Sequence, residues 1–207
     1  VFNMRAVCVG VVLSLFALGV AVPATGQASR VLVVTATVAG TIQDGPGAGN
    51  YYIAFSTRPG VLAGPEPTGE GWTQYVLYQR GRFFFAGMRS IDLPRSSFRT
   101  TLPPEPYDRG SVSGDRKTMR VELPLALFSA QGRVQGMVAE IRQIKINVVT
   151  TDPTNRPLDA LGRGPTDPLG FVTFDLEREL FRRFEAPSGN APPDYDVIEG
   201  TVTVTVP

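Results

Sequence analysis

The chain has 207 residues, 43% hydrophobic and 19% charged, with 20 Lys and Arg against 19 Asp and Glu, no histidine, and Cys8 as its only cysteine. That composition excludes Ser-His-Asp and Cys-His catalysis, zinc or haem held by His or Cys, and any intrachain disulfide framework. A formal charge of +1 gives no general electrostatic pull toward nucleic acid or anionic lipid, so neither is an expected partner.

Met4 and Arg5 lead into an apolar run from Ala6 to Val22, which closes on small residues through Gly26 and Ala28. This pattern predicts a secretory signal peptide over residues 1–28, and export to the periplasm, cell surface or extracellular space. No cysteine follows the apolar run, which argues against a lipid anchor, and no second span is expected once the signal is removed. An outer-membrane barrel needs repeated alternating stretches of about 9–11 residues, and most runs here are shorter. Residues 29–207 are expected to form one domain, large enough to bury about 70% of the surface of the unfolded chain. The 18 arginines are scattered and name no ligand.

Val31 to Val38 is the first predicted strand, with apolar residues on both faces. Tyr51 to Ser56 follows, and its two-residue period places Tyr51, Ile53 and Phe55 on the core face. Residues 57–71 hold Pro59, Gly60, Gly64, Pro65, Pro67, Gly69 and Gly71, and read as a long exposed loop. Trp72 to Gln79 and Arg82 to Phe85 form a hairpin about Arg80-Gly81. Between 88 and 117 the sequence predicts one short strand near 97–101 with mobile flanks. Order returns at Met119 to Leu123, and Pro124 is placed to open a helical turn through Phe128. Residues 134–142 read as helical or irregular and 143–150 as a strand, because β-branched residues dominate only the second half. Leu176, Leu180, Phe181 and Phe184 fall on one helical face, which predicts a helix over 176–184 with Asp175 as its N-cap. Residues 200–206 alternate Val and Thr, as a half-buried closing strand does. The fold class expected is all-β: a two-sheet antiparallel β-sandwich with one short helix in its C-terminal half.

Nine of the seventeen aromatic residues after Ala28 lie between Tyr51 and Phe85. Trp72, Tyr52 and Tyr78 are the candidate ligand-binding residues, since rings with a wet edge suit sugar C–H faces and hydroxyls. The same residues also suit a sandwich core with tyrosines at its margin. Asp152, Asn155 and Asp159 supply hard oxygen atoms in a Pro-rich loop and are the candidate Ca²⁺ ligands, although Asp-Pro and Asn are ordinary turn formers too. Glu66 with Glu70, and Glu105 with Asp108, are the acid pairs that a His-free glycosidase would draw on, at a separation of about 5–9.5 Å.

Three segments carry a resemblance: Gly40-Thr41-Ile42 leading into Tyr51 to Phe55, Leu123-Pro124-Leu125-Ala126-Leu127, and Ile146 to Asp152. In these the chain resembles exported bacterial β-sandwich domains of the DOMON-like type, which include carbohydrate-binding module family nine. The resemblance implies two packed antiparallel sheets and ligand binding on a face or edge. That type often shows an Asp where a strand enters the long loop, and Ser56-Thr57-Arg58 stands there instead. The expected role is non-catalytic binding of a polysaccharide or envelope component. The alternatives are an envelope or assembly protein that binds another polypeptide, and a two-carboxylate glycosidase.

Overall fold

The computed structural model describes residues 30–57, 64–87, 103–129, 141–161, 170–186 and 190–205. The signal segment, the strand expected near 97–101 and the stretch 134–140 lie outside the described residues. In chain order the elements are β1 (Val31–Val38), β2 (Asn50–Ser56), β3 (Gln74–Gln79), β4 (Arg82–Gly87), β5 (Glu105–Pro106), β6 (Gly110–Val112) and β7 (Thr118–Pro124). They continue with α1 (Ala126–Ser129), β8 (Gln143–Thr151), β9 (Pro157–Ala160), β10 (Val172–Asp175), β11 (Phe181–Glu185) and β12 (Val197–Thr205).

These strands form the expected two-sheet antiparallel sandwich. One sheet has the order β11-β12-β1-β7-β6; the other runs β10-β8-β2-β3-β4-β5, with β9 paired along β8. β1 and β12 are joined in a register that sets Leu32 opposite Val204 and Val34 opposite Val202, so the apolar halves of both strands face the second sheet. On the other face the Thr35 and Thr201 hydroxyls meet at 2.8 Å, as the alternation of Val and Thr dictates. The inner face of the larger sheet contributes Tyr51, Ile53, Phe55, Val76, Tyr78, Ile144, Ile146 and Val148 to the shared core. Phe128 of the short helix α1 caps this core, with its ring 5.2 Å from that of Phe55.

The hairpin between β3 and β4 turns on Arg80 and Gly81, at φ 51° and 76°. Two successive positive φ values match the right-handed twist of the flanking strands, and a glycine in the second position carries one of them without strain. Within 88–117 the described residues contain β5 and β6, which sit at the edges of opposite sheets and carry the chain across one side of the sandwich. No helix among the described residues is long and apolar enough to cross a membrane.

The helix predicted over 176–184 is not formed. Asp175 does act as a cap, its Oδ1 accepting the N–H groups of Glu177 at 2.9 Å and Arg178 at 3.2 Å, but only one turn follows. Beyond it the chain becomes β11 and pairs with β12 from Phe181 opposite Thr203 to Glu185 opposite Glu199. Leu176 and Phe184 pack on the core, whereas Leu180 and Phe181 stand 66% and 60% exposed. The four-residue spacing of these apolar side chains is therefore a coincidence of a turn and a strand. Ladder bonds to β12 satisfy the backbone that a nine-residue helix would have had to satisfy alone.

Candidate functional site

The larger sheet is buried on both faces, which accounts for every residue of β2 being buried. Its outer face carries a second apolar cluster of Tyr52, Ala54, Trp72, Tyr75, Leu77, Ala86, Val149 and Ala160. Part of the loop expected to be exposed covers this face. Asn147 Nδ2 donates to the Pro65 carbonyl at 2.7 Å, and the turn that follows is closed by Glu66 N–H to Glu70 O at 2.8 Å and Gly69 N–H to Glu66 O at 2.9 Å. The Trp72 indole donates to the same Glu66 carbonyl at 2.6 Å. Gly71 allows this close approach: its φ is +75°, and a Cβ there would lie 2.4 Å from the Gly64 carbonyl oxygen.

Beside this turn a groove of about 590 Å³ opens, within the size range of small-ligand sites. Its lining runs from Pro67, Thr68 and Trp72 across Tyr52, Tyr75, Leu77 and Gln79 to Pro104, Thr151, Asn155 and Pro157. None of these side chains is charged. Tyr52, Trp72 and Tyr75 form a mutually packed trio with ring centroids 5.4–5.7 Å apart and interplanar angles of 58–70°. Such edge-to-face contacts hold the rings rigid at the wall of the groove. Burial pushes the Tyr52 hydroxyl up to about 12 and raises that of Tyr75, so both stay neutral at physiological pH.

The other end is polar. Asn155 Oδ1 accepts from Tyr52 Oη and from Asn50 Nδ2, each at 2.8 Å, and Asn50 Oδ1 accepts from Gln79 Nε2 at 2.6 Å. Asn50 is 1% exposed, while Asn155 and Gln79 reach solvent. Asn155 holds a φ of 66°, in a turn where its N–H donates to the Asp152 carbonyl at 3.0 Å. Asn is among the side chains that tolerate this region best.

The sequence candidates thus fall in unexpected groupings. Tyr52 and Trp72 meet in the groove, but at 8% and 3% exposure they are walls rather than the solvent-facing platform expected. Tyr78 points to the opposite face of the sheet, into the sandwich core, with its ring 4.7 Å from Phe83. The period of two separates it from Tyr75, Leu77 and Gln79. Counting alternate residues from Tyr75 is the signal that finds Gln79, which sequence reasoning missed along with Asn50.

Asp152, Asn155 and Asp159 are each engaged in separate hydrogen bonds. Asp152 Oδ1 is occupied by the backbone N–H groups of Thr154 and Arg156 and by the Thr154 hydroxyl, at 2.7–2.9 Å, which holds its pKa down. Asp159, 2% exposed, accepts from the Val197 N–H at 2.8 Å. Burial pushes its carboxyl up to about 6, helped by the charge of Asp196 and opposed by the N–H groups of Val197 and Ala160. Among the described residues no three His, Cys, Asp or Glu side chains gather as metal ligands do. Glu66 and Glu70 are brought together by a backbone turn, close enough for Glu70 to raise the Glu66 carboxyl, but neither is among the lining residues. Glu105 and Asp108 are exposed and are not among the lining residues, although Pro104 beside Glu105 is.

Compared with protein-family models, curated proteins and solved structures, the chain matches none.

Proposed function

We propose that this chain is an exported, non-catalytic binding protein that takes a carbohydrate in the groove on the outer face of its larger sheet. The observation that carries this reading is the lining: rigid aromatic rings beside an amide and hydroxyl chain, with no charged side chain among the described lining residues. Sugar rings present C–H surface and neutral hydroxyls together, and a site for them needs that mixture. A charged ligand would lose water in this groove without gaining a counter-charge. Glycoside hydrolysis finds no acid-base pair among the lining residues. A polysaccharide or other envelope glycan is the partner this reading names.

A second reading, binding of another polypeptide in the envelope, is favoured by one observation. β11 ends its sheet, with Phe181 at its start and Leu180 just before it exposed beside Arg182 and Arg183. Edge strands with exposed apolar residues invite pairing with another chain.

Thermal unfolding of the purified protein against a panel of neutral polysaccharides, with Ca²⁺ or a chelator in parallel, separates the two. A ligand present at a hundred times its dissociation constant adds about 2.7 kcal/mol to stability. A glycan-specific rise that is unchanged by chelator supports the groove. No shift with any glycan, in a protein that unfolds cooperatively, transfers the function to the β11 edge.

A further inference from the structure

The geometry points to Asn155 and Gln79 as the specificity-determining residues of the groove, selecting a neutral ligand through hydroxyl groups and without a metal ion. This rests on the carbohydrate reading above and goes beyond it by naming how the ligand is told apart from other neutral chains.

The row Gln79–Asn50–Asn155 has a buried middle and two open ends, and Tyr52 joins it at Asn155. Asn50, buried, donates to Asn155 and accepts from Gln79, so its side chain transmits one polarity along the row. The bonds made leave Nδ2 of Asn155 and Oε1 of Gln79 for a ligand, one donor and one acceptor on the same groove. Turning all three amides together keeps both amide–amide bonds, makes Tyr52 Oη the acceptor from Asn155 Nδ2, and exchanges which end donates. In either state the groove shows a ligand one donor and one acceptor.

A ligand hydroxyl both donates and accepts, and satisfies either end in either state. A proline-rich peptide, the other polymer that aromatic grooves take, offers carbonyl acceptors but few N–H donors, and leaves the acceptor end unmet. An unmet polar group in a closed contact costs more than the bond it would have made, so the acceptor end discriminates against it. In either state a cation would meet only neutral amide oxygens in this row, with no carboxylate among the described lining residues. Recognition through this row therefore proceeds without Ca²⁺.

The test is titration of neutral oligosaccharides, an acidic oligosaccharide and a proline-rich peptide, read by calorimetry and by the fluorescence of Trp72, the only tryptophan. Each is run with chelator on the wild type, Asn155→Gly and Asn155→Asp. Both substitutions accept a φ of 66°, and urea midpoints check that the fold is kept. The wild type should bind a neutral oligosaccharide. Asn155→Gly should lose about tenfold or more in affinity. Asn155→Asp should recover most of that loss, because a ligand hydroxyl rotates to donate to a carboxylate. Binding unaffected by Asn155→Gly overturns the assignment of Asn155 while the carbohydrate reading stands. An Asn155→Asp as weak as Asn155→Gly, or binding lost with chelator, overturns the hydroxyl mechanism. A wild type that binds only the acidic oligosaccharide overturns this inference while the carbohydrate reading stands, and one that binds only the peptide or nothing overturns both.

Discussion

The Tyr52 hydroxyl in β2 donates to Asn155 Oδ1, 103 residues further along the chain, at 2.8 Å. Burial pushes the phenol up to about 12, so the proton needed for this bond is present well beyond neutral pH. Tyr52→Phe keeps the ring against Trp72 and Tyr75 and removes only the bond. Asn155 Oδ1 retains Asn50 Nδ2 and is not orphaned. The expected cost is therefore near the lower end for a buried hydrogen bond, about 1 kcal/mol, measured as a shift in the urea midpoint with unchanged slope. A loss of about 3 kcal/mol or more would mean that the ring had moved and the trio had come apart.

The same bond shows what the sequence can and cannot tell. Alternation correctly assigns Tyr51, Ile53 and Phe55 to one face of β2, Val202 and Val204 to the inner face of β12, and a two-residue turn to Arg80-Gly81, because each depends on neighbours a few positions away. The joining of Tyr52 to Asn155 depends on β2 and β8 lying side by side, with Tyr52 opposite Val149, and no local period contains that. Glycines and prolines in 64–71 correctly forbid a regular element. They do not reveal that irregular backbone packs over a sheet once Asn147 and Trp72 satisfy its carbonyls.

Residues 176–184 invite a test of the competing periods. In a helix, Phe181 and Phe184 would share one apolar face and a charge at either would be equally damaging. In β11 they point to opposite sides. Phe181 is 60% exposed, while Phe184 packs on the core and against Gly200, where a Cβ would lie 2.2 Å from its ring. Phe181→Lys should leave the thermal midpoint unchanged, corresponding to about 0.5 kcal/mol or less. Phe184→Lys should cost about 2 kcal/mol or more, since a charge is set against apolar surface. Equal effects of the two substitutions would contradict the strand.

Asp159 gives the fold a stability that falls as pH rises. Its carboxyl is raised from 3.8 to about 6 by burial first and the charge of Asp196 second. The folded state thus binds the proton more tightly than the unfolded state. The resulting stability is fully present below about pH 4 and lost progressively up to about pH 6, a difference of at most about 3 kcal/mol. Asp115 and Asp152, held low by hydrogen bonds, act in the opposite sense, and their contribution is lost as pH falls through the acid range. Urea midpoints from pH 3 to 8 should therefore show a maximum on the acid side of neutrality. Asp196→Asn removes the neighbouring charge and should narrow the window by lowering its upper edge. A midpoint flat between pH 4 and 7 in both proteins would leave Asp159 without its assigned role.

The groove's rim carries its own titration. Glu66 is raised above 4.5, first by burial and then by its neighbour Glu70. The folded state again favours the protonated form of Glu66 and loses that advantage as pH rises through the raised value. The Glu66 carbonyl also receives the Trp72 indole, and Pro67 and Thr68 between the two acids line the groove. Ionisation of Glu66 places a charge at this short turn and should move the emission of Trp72. A fluorescence titration from pH 3.5 to 7 should show one step above the ordinary carboxylate range. In Glu70→Gln the amide donates to the ionised Glu66 carboxylate, so the step should shrink and shift to lower pH. An identical step in the wild type and Glu70→Gln would place the proton that Trp72 senses elsewhere, and the turn would then be held by its backbone bonds alone.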